Sequence, residues 1–486
     1  MSILKNVVLK PDLSSPLYQQ IYEHLRAAIL SGQLQRGAKL PSTRALADEL
    51  GISRNTVLNA YDQLFAEGYL QSVEGRGTFI AHVLPEVYLA PPSNNPGKQS
   101  VSRQHHLSER AQAMLTAPAM PARNKGLQRA FQAGLPALDA FPFELWGKLV
   151  ARRAHQLHPD MLTYQDRAGY RPLREAITSH IIVTRQVRCT PEQVIIVTGS
   201  QGGLHLAARV LLNPGDSAWI EDPGYLGARS ALLSAGAKLI PVPVDDSGLI
   251  VERGIARAPD ARLAYLTPSH QFPLGSTLSL ARRLALLDWA EHADAYLLED
   301  DYDSEYRFEG RPLASLQGLD ENERVIYAGT FSKVLFPALR LGYLVVPEAL
   351  VNAFLTMHGA MDYHLPSLEQ TVVTDFITEG HFTRHIRRMR TLYAERRALL
   401  VDAARDLPLD MFAPEAGMHL VGWLPAGCDD RLAAERAAEH QVAVMPISLF
   451  ALEPGERGGL VLGYAATTES DILDGVRRLE KALRFI

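Results

Sequence analysis

Residues 325–343 read VIYAGTFSKVLFPALRLGY, and the reading of this stretch decides the fold of most of the chain. Val325–Ala328 form a short β-rich apolar run, the composition of a buried strand. Directly after it stand Thr330, Ser332 and Lys333, and seven residues beyond Lys333 stands Arg340. A lysine flanked by small hydroxyls at a strand end can form a Schiff base with a carbonyl, and an arginine close by can hold a phosphate with its fork of donors.

From about Thr190 onward the same design repeats. Apolar runs at Val194–Val197, Ala218–Glu221, Leu239–Val244, Leu263–Leu266 and Ala295–Leu298 alternate with longer helical stretches. That alternation predicts a mainly parallel α/β sheet, whose ligands sit at the carboxyl ends of the strands. One such end is Thr198-Gly199-Ser200-Gln201-Gly202-Gly203, where free backbone N–H groups can cradle a phosphate, although glycines after a strand also make ordinary tight turns. Another is Glu299-Asp300-Asp301-Tyr302-Asp303. The period of two puts Asp300 and Tyr302 on one face, so a carboxylate and a phenol can address one ligand. A run of acids also fits a divalent cation of the Mg²⁺ type, but no phosphate-substrate motif accompanies it, and no metal is expected.

The first eighty residues have a different rhythm. Leu17, Ile21, Leu25 and Ile29 recur every fourth position, an amphipathic helix stopped by Ser31-Gly32. Pro41-Ser42 opens a second helix with Ala45, Leu46 and Leu50 on its buried face, and Gly51 ends it. Ser53 caps a third, with Val57, Ala60, Tyr61 and Leu64 inward. Two β-rich runs flanking Glu74-Gly75-Arg76-Gly77 complete a hairpin. A helix-turn-helix with a wing is the expectation, with Ser53, Arg54, Asn55 and Thr56 at the groove end of the recognition helix. Ser42 and Arg44 stand at the start of the second helix, and Arg76 and Gly77 at a wing tip able to reach the minor groove. Residues 81–107, with paired prolines and asparagines and no apolar period, read as a linker.

Composition narrows the classes. The net charge of −5 over 486 residues argues against a chain that coats nucleic acid indiscriminately. Cys189 and Cys428 lack zinc or disulfide spacing and read as small apolar fillers. No leader-like apolar segment opens the sequence and no run of some eighteen apolar residues occurs, so a soluble cytoplasmic protein without a membrane partner is expected.

The series LPSTRALADELGISRNTVLNAYDQLFAEGYLQSVEGRGTFI resembles the winged-helix domain of the GntR repressors along its whole length. By that resemblance Arg44, Arg54, Asn55, Thr56 and Gly77 fall at DNA-contact positions. From about Leu127 on, the chain resembles the fold-type-I pyridoxal-phosphate (PLP) enzymes typified by aspartate aminotransferase. This implies Lys333 as the Schiff-base lysine, Asp300 at the pyridine nitrogen, Tyr302 near the ring oxygen and Tyr225 over the ring. Ser200, Gln201, Thr330, Ser332 and Arg340 would surround the phosphate, joined by Tyr164 from a partner subunit. The fusion is similar to the MocR/GabR regulators, in segments EDPGY, TPSHQFP, EDDYDSEYR and GTFSKVLFPALRLGY.

The expected architecture is thus a winged helix-turn-helix of α+β type at 1–80, the linker at 81–107, and at 108–486 an α/β fold-type-I PLP-dependent transferase domain. Its large part would span about 150–370, with a smaller C-terminal α+β subdomain at about 371–486. Two positions depart from the enzyme pattern. Gln271-Phe272-Pro273-Leu274-Gly275 replaces the enzymes' N-P-x-G, leaving His270 or Gln271 to stand in for the asparagine at the ring oxygen. The arginine that takes a substrate carboxylate would fall at Val461, with Arg457 out of register. The six arginines of 384–397 read as a solvated helix face or as a DNA-backbone contact. The resemblance implies a transcription regulator rather than an enzyme, with some transamination chemistry left open. Its partners would be operator DNA, an amine, amino-acid or PLP effector, and a second copy in a domain-swapped homodimer. An aminotransferase that carries a DNA-binding domain is the alternative.

Overall fold

The computed structural model describes residues 15–83, 106–118, 129–308, 313–412 and 414–484. The chain divides into two compact units, 1–105 and 106–486. Most of the expected linker lies outside the described residues.

In the first unit, α1 (Leu17–Leu30) buries Ile21, Leu25 and Ile29. α2 (Thr43–Leu50) buries Leu46 and Ala47, whereas Ala45, expected inward, is exposed. α3 (Arg54–Ala66) buries all four expected residues, Val57, Ala60, Tyr61 and Leu64. Gly51 ends α2 at φ 65°, a left-handed conformation that costs glycine nothing and lets α3 start at once in a new direction. β1 (Leu70–Val73) and β2 (Gly77–Ile80) pair antiparallel, and an isolated bridge from Lys39 to Phe79 extends the wing. One core cluster runs through all five elements, so the winged helix has its own apolar centre.

The second unit is built on an eight-stranded sheet of order β3-β10-β9-β8-β7-β4-β5-β6. β3 (Val194–Val197), β4 (Ser217–Asp222), β5 (Lys238–Asp245), β7 (Leu263–Leu266), β8 (Tyr296–Asp301) and β9 (Val325–Thr330) begin within one residue of the six expected runs. The short β6 (Gly248–Leu249) closes one edge. β10 (Gly342–Val345), which the alternation did not reveal, inserts antiparallel between β3 and β9. It brings the LRLGY segment directly beside the strand that precedes Lys333. Apolar clusters fill both faces of the sheet.

The smaller part carries an antiparallel sheet of order β11-β12-β14-β13: Asp410–Met411, His419–Trp423, Gly459–Gly463 and Met445–Pro446. Its core also takes Phe131 and Ala137, and Ala130 bridges to Val442. The segment near residue 130 therefore belongs to the small part, although the sequence pattern assigned that part only to about 371–486. One 23-residue helix, His381–Ala403, joins the two parts, burying Phe382 and Ile386 in the large core and Met389, Tyr393 and Leu400 in the small one.

Four of the six arginines on this helix, Arg384, Arg387, Arg388 and Arg390, are exposed, as a solvated face requires, and five of the six also bond to neighbouring segments. Arg384 donates to the Glu379 carbonyl, Arg388 to Ala140, Arg390 to Glu305 and Arg397 to Pro414. Arg396, itself buried, pairs with Asp139 and the Ala465 carbonyl. Cys189 and Cys428 are free and pack at the margins of two apolar cores, as fillers do. Among the described residues no helix is long and apolar enough to cross a membrane.

Candidate functional site

A cavity of about 300 Å³ opens where the sheet's carboxyl ends meet the smaller part. Nine of the eleven residues expected at a cofactor from the same chain line it: Ser200, Gln201, Tyr225, Asp300, Tyr302, Thr330, Ser332, Lys333 and Arg340.

Each is placed by a strand end. β3 runs into the helix Gly199–Leu211, whose first turn presents Ser200 and Gln201 together with unsatisfied N–H groups and the positive end of the helix dipole. Arg340 is held at φ 50° and ψ 37°, a strained setting for a residue with a side chain, and its guanidinium reaches back toward that helix start. A Cβ on Gly199 would stand 3.9 Å from both Arg340 Nη1 and Ser332 Oγ, so helix start, hydroxyl and guanidinium share one small volume. Such a set suits a phosphate dianion. Gln201 donates to the Gly227 carbonyl at 2.9 Å and so braces the turn that carries Tyr225.

Lys333 follows β9. Its ammonium donates to the Gly134 carbonyl at 2.8 Å, and the Tyr306 phenol donates to its main-chain oxygen at 3.3 Å. Asp300 is buried at the end of β8, where Oδ2 accepts the Tyr265 phenol at 2.8 Å and Oδ1 is buried without a hydrogen-bond partner. Burial first, then the neighbouring Asp301 charge, push the Asp300 carboxyl up to about 7 against the pull of Tyr265 and Lys333. A buried carboxylate oxygen left unpaired beside a cavity asks for a donor or a cation. A protonated pyridine nitrogen is such a group, and the donor set as a whole fits PLP.

His270 and Gln271 do not line the cavity. Gln271 is turned inward, donating to the carbonyls of Pro223 and Phe272 and to Glu221. His270 is buried against Asp303, behind the cavity-lining Tyr302 and His419. The residue directly before Pro273 is Phe272, and it is the ring of Phe272 that lines the space. The enzymes' asparagine position is therefore apolar here, and neither expected substitute occupies it. Among the described residues His270, Asp303 and His419 form a buried group with potential ligand atoms within 4.8 Å of one another, in which His270 Nδ1 bonds to Asp303 and Tyr302 and His419 Nε2 to the Pro273 carbonyl.

The sequence pattern did not disclose Thr267, Phe272, Met418, His419 and Met445 in the lining. They come from three separate segments, and Met418, His419 and Met445 carry no local motif. His419 is held neutral, burial driving its pKa down to about 3. Val461 is fully buried within β14, and Arg457 is bound to Asp410 and the Leu424 carbonyl, so neither takes the place of a carboxylate clamp. Tyr164 lies outside its own chain's cavity, 82% exposed, with its ring against Tyr363 at 5.1 Å.

In the first unit Arg44, Arg54, Asn55, Arg76 and Gly77 are exposed and Thr56 half-exposed. Ser42 and Ser53 have prior engagements: their hydroxyls accept from Ala45 N and Thr56 N as helix caps, each at 3.2 Å. Arg54 Nε also reaches Thr43 Oγ1 at 3.4 Å, holding the start of α3 against α2.

A winged helix joined to an α/β domain whose cavity is lined by a lysine and an arginine defines a DNA-binding regulator built on an aminotransferase-type fold. The chain belongs to the aminotransferase class I and II family, which matches residues 135–479, and carries at residues 17–80 a match to the bacterial regulatory proteins of the gntR family. It is 41% identical over 98% of its length, and 95% of the relative's, to the probable rhizopine catabolism regulatory protein MocR of Rhizobium meliloti. It is 32% identical to the pyridoxine biosynthesis transcriptional regulator PdxR of Corynebacterium glutamicum, over 96% of each chain. Among solved structures it resembles the α-aminoadipate aminotransferase LysN of Thermus thermophilus, complexed with N-(5'-phosphopyridoxyl)-L-leucine. That likeness has a TM-score of 0.68 at 30% identity, over 78% of this chain and 95% of the other. The architecture is thus that of the MocR-type transcription regulators.

Proposed function

We propose that this regulator binds operator DNA through residues 17–80, holds PLP in the cavity of its aminotransferase-type domain, and senses there an amine, an amino acid or PLP itself. The observation that carries the reading is the convergence of Lys333, Arg340 and the unpaired Oδ1 of Asp300 on one cavity, in a chain whose other unit is a winged helix. PLP, when bound, supplies an aldehyde that condenses with amines and a ring that withdraws electrons.

The chain's own residues would do the rest. Lys333 offers the amine. Asp300 Oδ1 holds the proton on the ring nitrogen, and Tyr302 faces the ring oxygen. Tyr225 covers the ring, while Arg340, Ser200, Gln201, Ser332, Thr330 and the helix start take the phosphate. Arg44, Arg54, Asn55, Thr56, Arg76 and Gly77 would meet DNA, and Tyr164 would complete the phosphate site of a second copy in a homodimer.

A complete lysine and carboxylate pair also supports residual transamination, so the enzyme alternative is tested alongside. Gel shifts on the DNA upstream of the gene, with and without PLP and candidate amines, are run beside a two-substrate transamination assay. Specific DNA binding modulated by PLP or an amine, with negligible turnover, is the expected result. Multiple turnovers with no specific DNA binding would overturn the regulator reading.

A further inference from the structure

Tyr302 lines the cavity, and its Oη lies 2.9 Å from His270 Nδ1. The same nitrogen lies 3.0 and 3.2 Å from the two carboxylate oxygens of Asp303. His270 and Asp303 are both buried and neither lines the cavity. One nitrogen that holds at most one proton therefore faces three oxygens.

We propose that Asp303 and His270 are positioning residues that turn the Tyr302 hydroxyl into a hydrogen-bond donor aimed at the cavity. An ionised carboxylate only accepts, so Asp303 requires the proton of His270 to sit on Nδ1. With Nδ1 protonated, Tyr302 Oη can only accept from it, and the phenol's own proton is left for a ligand. Were Nδ1 bare, the phenol would spend its proton on His270, and the Asp303 carboxylate would face a lone pair in a dry interior.

The other ring nitrogen agrees with this choice of tautomer. Nε2 is buried without a hydrogen-bond partner, which is tolerable for a bare acceptor and costly for an N–H. The ring is also fixed in place by space that only glycine leaves. A Cβ on Gly417 would come within 2.0 Å of His270 Cε1, and one on Gly275 within 3.2 Å of Nε2. Beside His270, Tyr302 is faced by Asp303, Asp300, Glu221 and Tyr464, and burial first, then those four groups, keep its phenol protonated. On the far side His270 meets His419, which burial keeps neutral.

The proposal rests on the reading that the cavity takes PLP, whose ring oxygen would receive the Tyr302 proton. A donor there draws charge from that oxygen and weakens its hold on the proton it shares with the Lys333-linked nitrogen. The test is a pH titration of the visible absorbance of the full-length protein loaded with PLP. Tyr302→Phe and Asp303→Asn should each raise the midpoint by about one pH unit, the worth of one hydrogen bond, and His270→Phe, which frees the phenol from its fixed partner but leaves it its proton, should raise it by a smaller amount. In a Tyr302→Phe background His270→Phe should add nothing, since the pair acts only through that phenol. His270→Asn, whose amide nitrogen can stand near the place of Nδ1, should restore much of the wild-type midpoint. Wild-type midpoints in both His270→Phe and Asp303→Asn, or equal shifts with and without the tyrosine, would overturn the relay while leaving the PLP reading intact. A wild-type protein that develops no visible band with PLP overturns both.

Discussion

The Tyr265 phenol donates to Asp300 Oδ2 at 2.8 Å and satisfies only half of that carboxylate, whose other oxygen stays buried and unpaired. In the protein without cofactor this half-satisfied group is a source of instability with a definite pH dependence. The folded-state pKa is about 7, against about 3.9 for a free aspartate, so between those values the unfolded chain has released a proton that the folded chain retains. Folding must then take up a proton, and stability falls as pH rises, by about 1.4 kcal/mol per unit for one group, levelling off above the folded value.

Asp300→Asn removes that dependence and keeps an acceptor for Tyr265. Thermal melts of the cofactor-free proteins should nearly coincide at the acid end, with the variant increasingly more stable than wild type up to neutrality. With PLP the order should reverse, because an amide cannot hold a ring cation. A constant gap across the range would show that Asp300 is ionised throughout in the folded state.

Lys333→Ala should abolish the visible PLP band and its fixation by borohydride while leaving the fold intact, since the lysine lines the cavity rather than the core and its bond to the Gly134 carbonyl joins no strand or helix. Mass spectrometry of the reduced wild type should find the pyridoxyl adduct on Lys333. An adduct on any other lysine would displace it from the role proposed here.

The strand-end groups were legible because each is a local phrase: a β-rich run, small residues, then a lysine, an acid or a glycine pair. What failed was what depends on distant segments. The ring-oxygen position calls for a polar side chain, which points to His270 and Gln271, whereas the residue in register before Pro273 is Phe272. β10 reads as apolar in either direction, and only its pairing with both β3 and β9 shows that it runs antiparallel. The arginines of the joining helix do form a charged face, four of the six being exposed, but the sequence does not show what they bond to. Their carbonyl partners, Ala140, Glu305, Pro414 and Ala465, lie up to hundreds of residues away.

On the DNA side the structure separates two kinds of residue that the sequence grouped together. Arg44→Ala and Arg54→Ala should weaken operator binding by about 1–3 kcal/mol if they read bases, and evenly on all sequences if they meet only phosphates. Ser53→Ala should act differently. Its hydroxyl caps α3, so the loss should appear as about 1 kcal/mol of lower domain stability in a melt. Gel shifts well below the melting temperature should then be nearly unchanged for Ser53→Ala, and a defect there as large as that of Arg54→Ala would make Ser53 a DNA contact as well.

Tyr164 supplies the last expectation. A tyrosine 82% exposed in the single chain, its ring against Tyr363 and His364, presents its hydroxyl to solvent, where another partner can take it. Among the described residues the cavity is lined by one guanidinium, Arg340, and the phosphate site proposed there would gain a further neutral donor if a second copy brings Tyr164 to it. The protein should therefore sediment as a dimer, and Tyr164→Phe should keep the dimer while losing roughly tenfold in PLP affinity, as deletion of one hydrogen bond to a charged phosphate predicts. The Lys333 band should survive, because in this reading the phenol would touch the phosphate and not the ring. Linkage adds a second reading: if PLP or an amine changes DNA affinity, DNA must change the affinity for that ligand by the same factor. Sedimentation, PLP titration of Tyr164→Phe, and ligand titration with and without operator check the three parts separately. A monomer that binds PLP as tightly as wild type at every protein concentration would remove Tyr164 from the site.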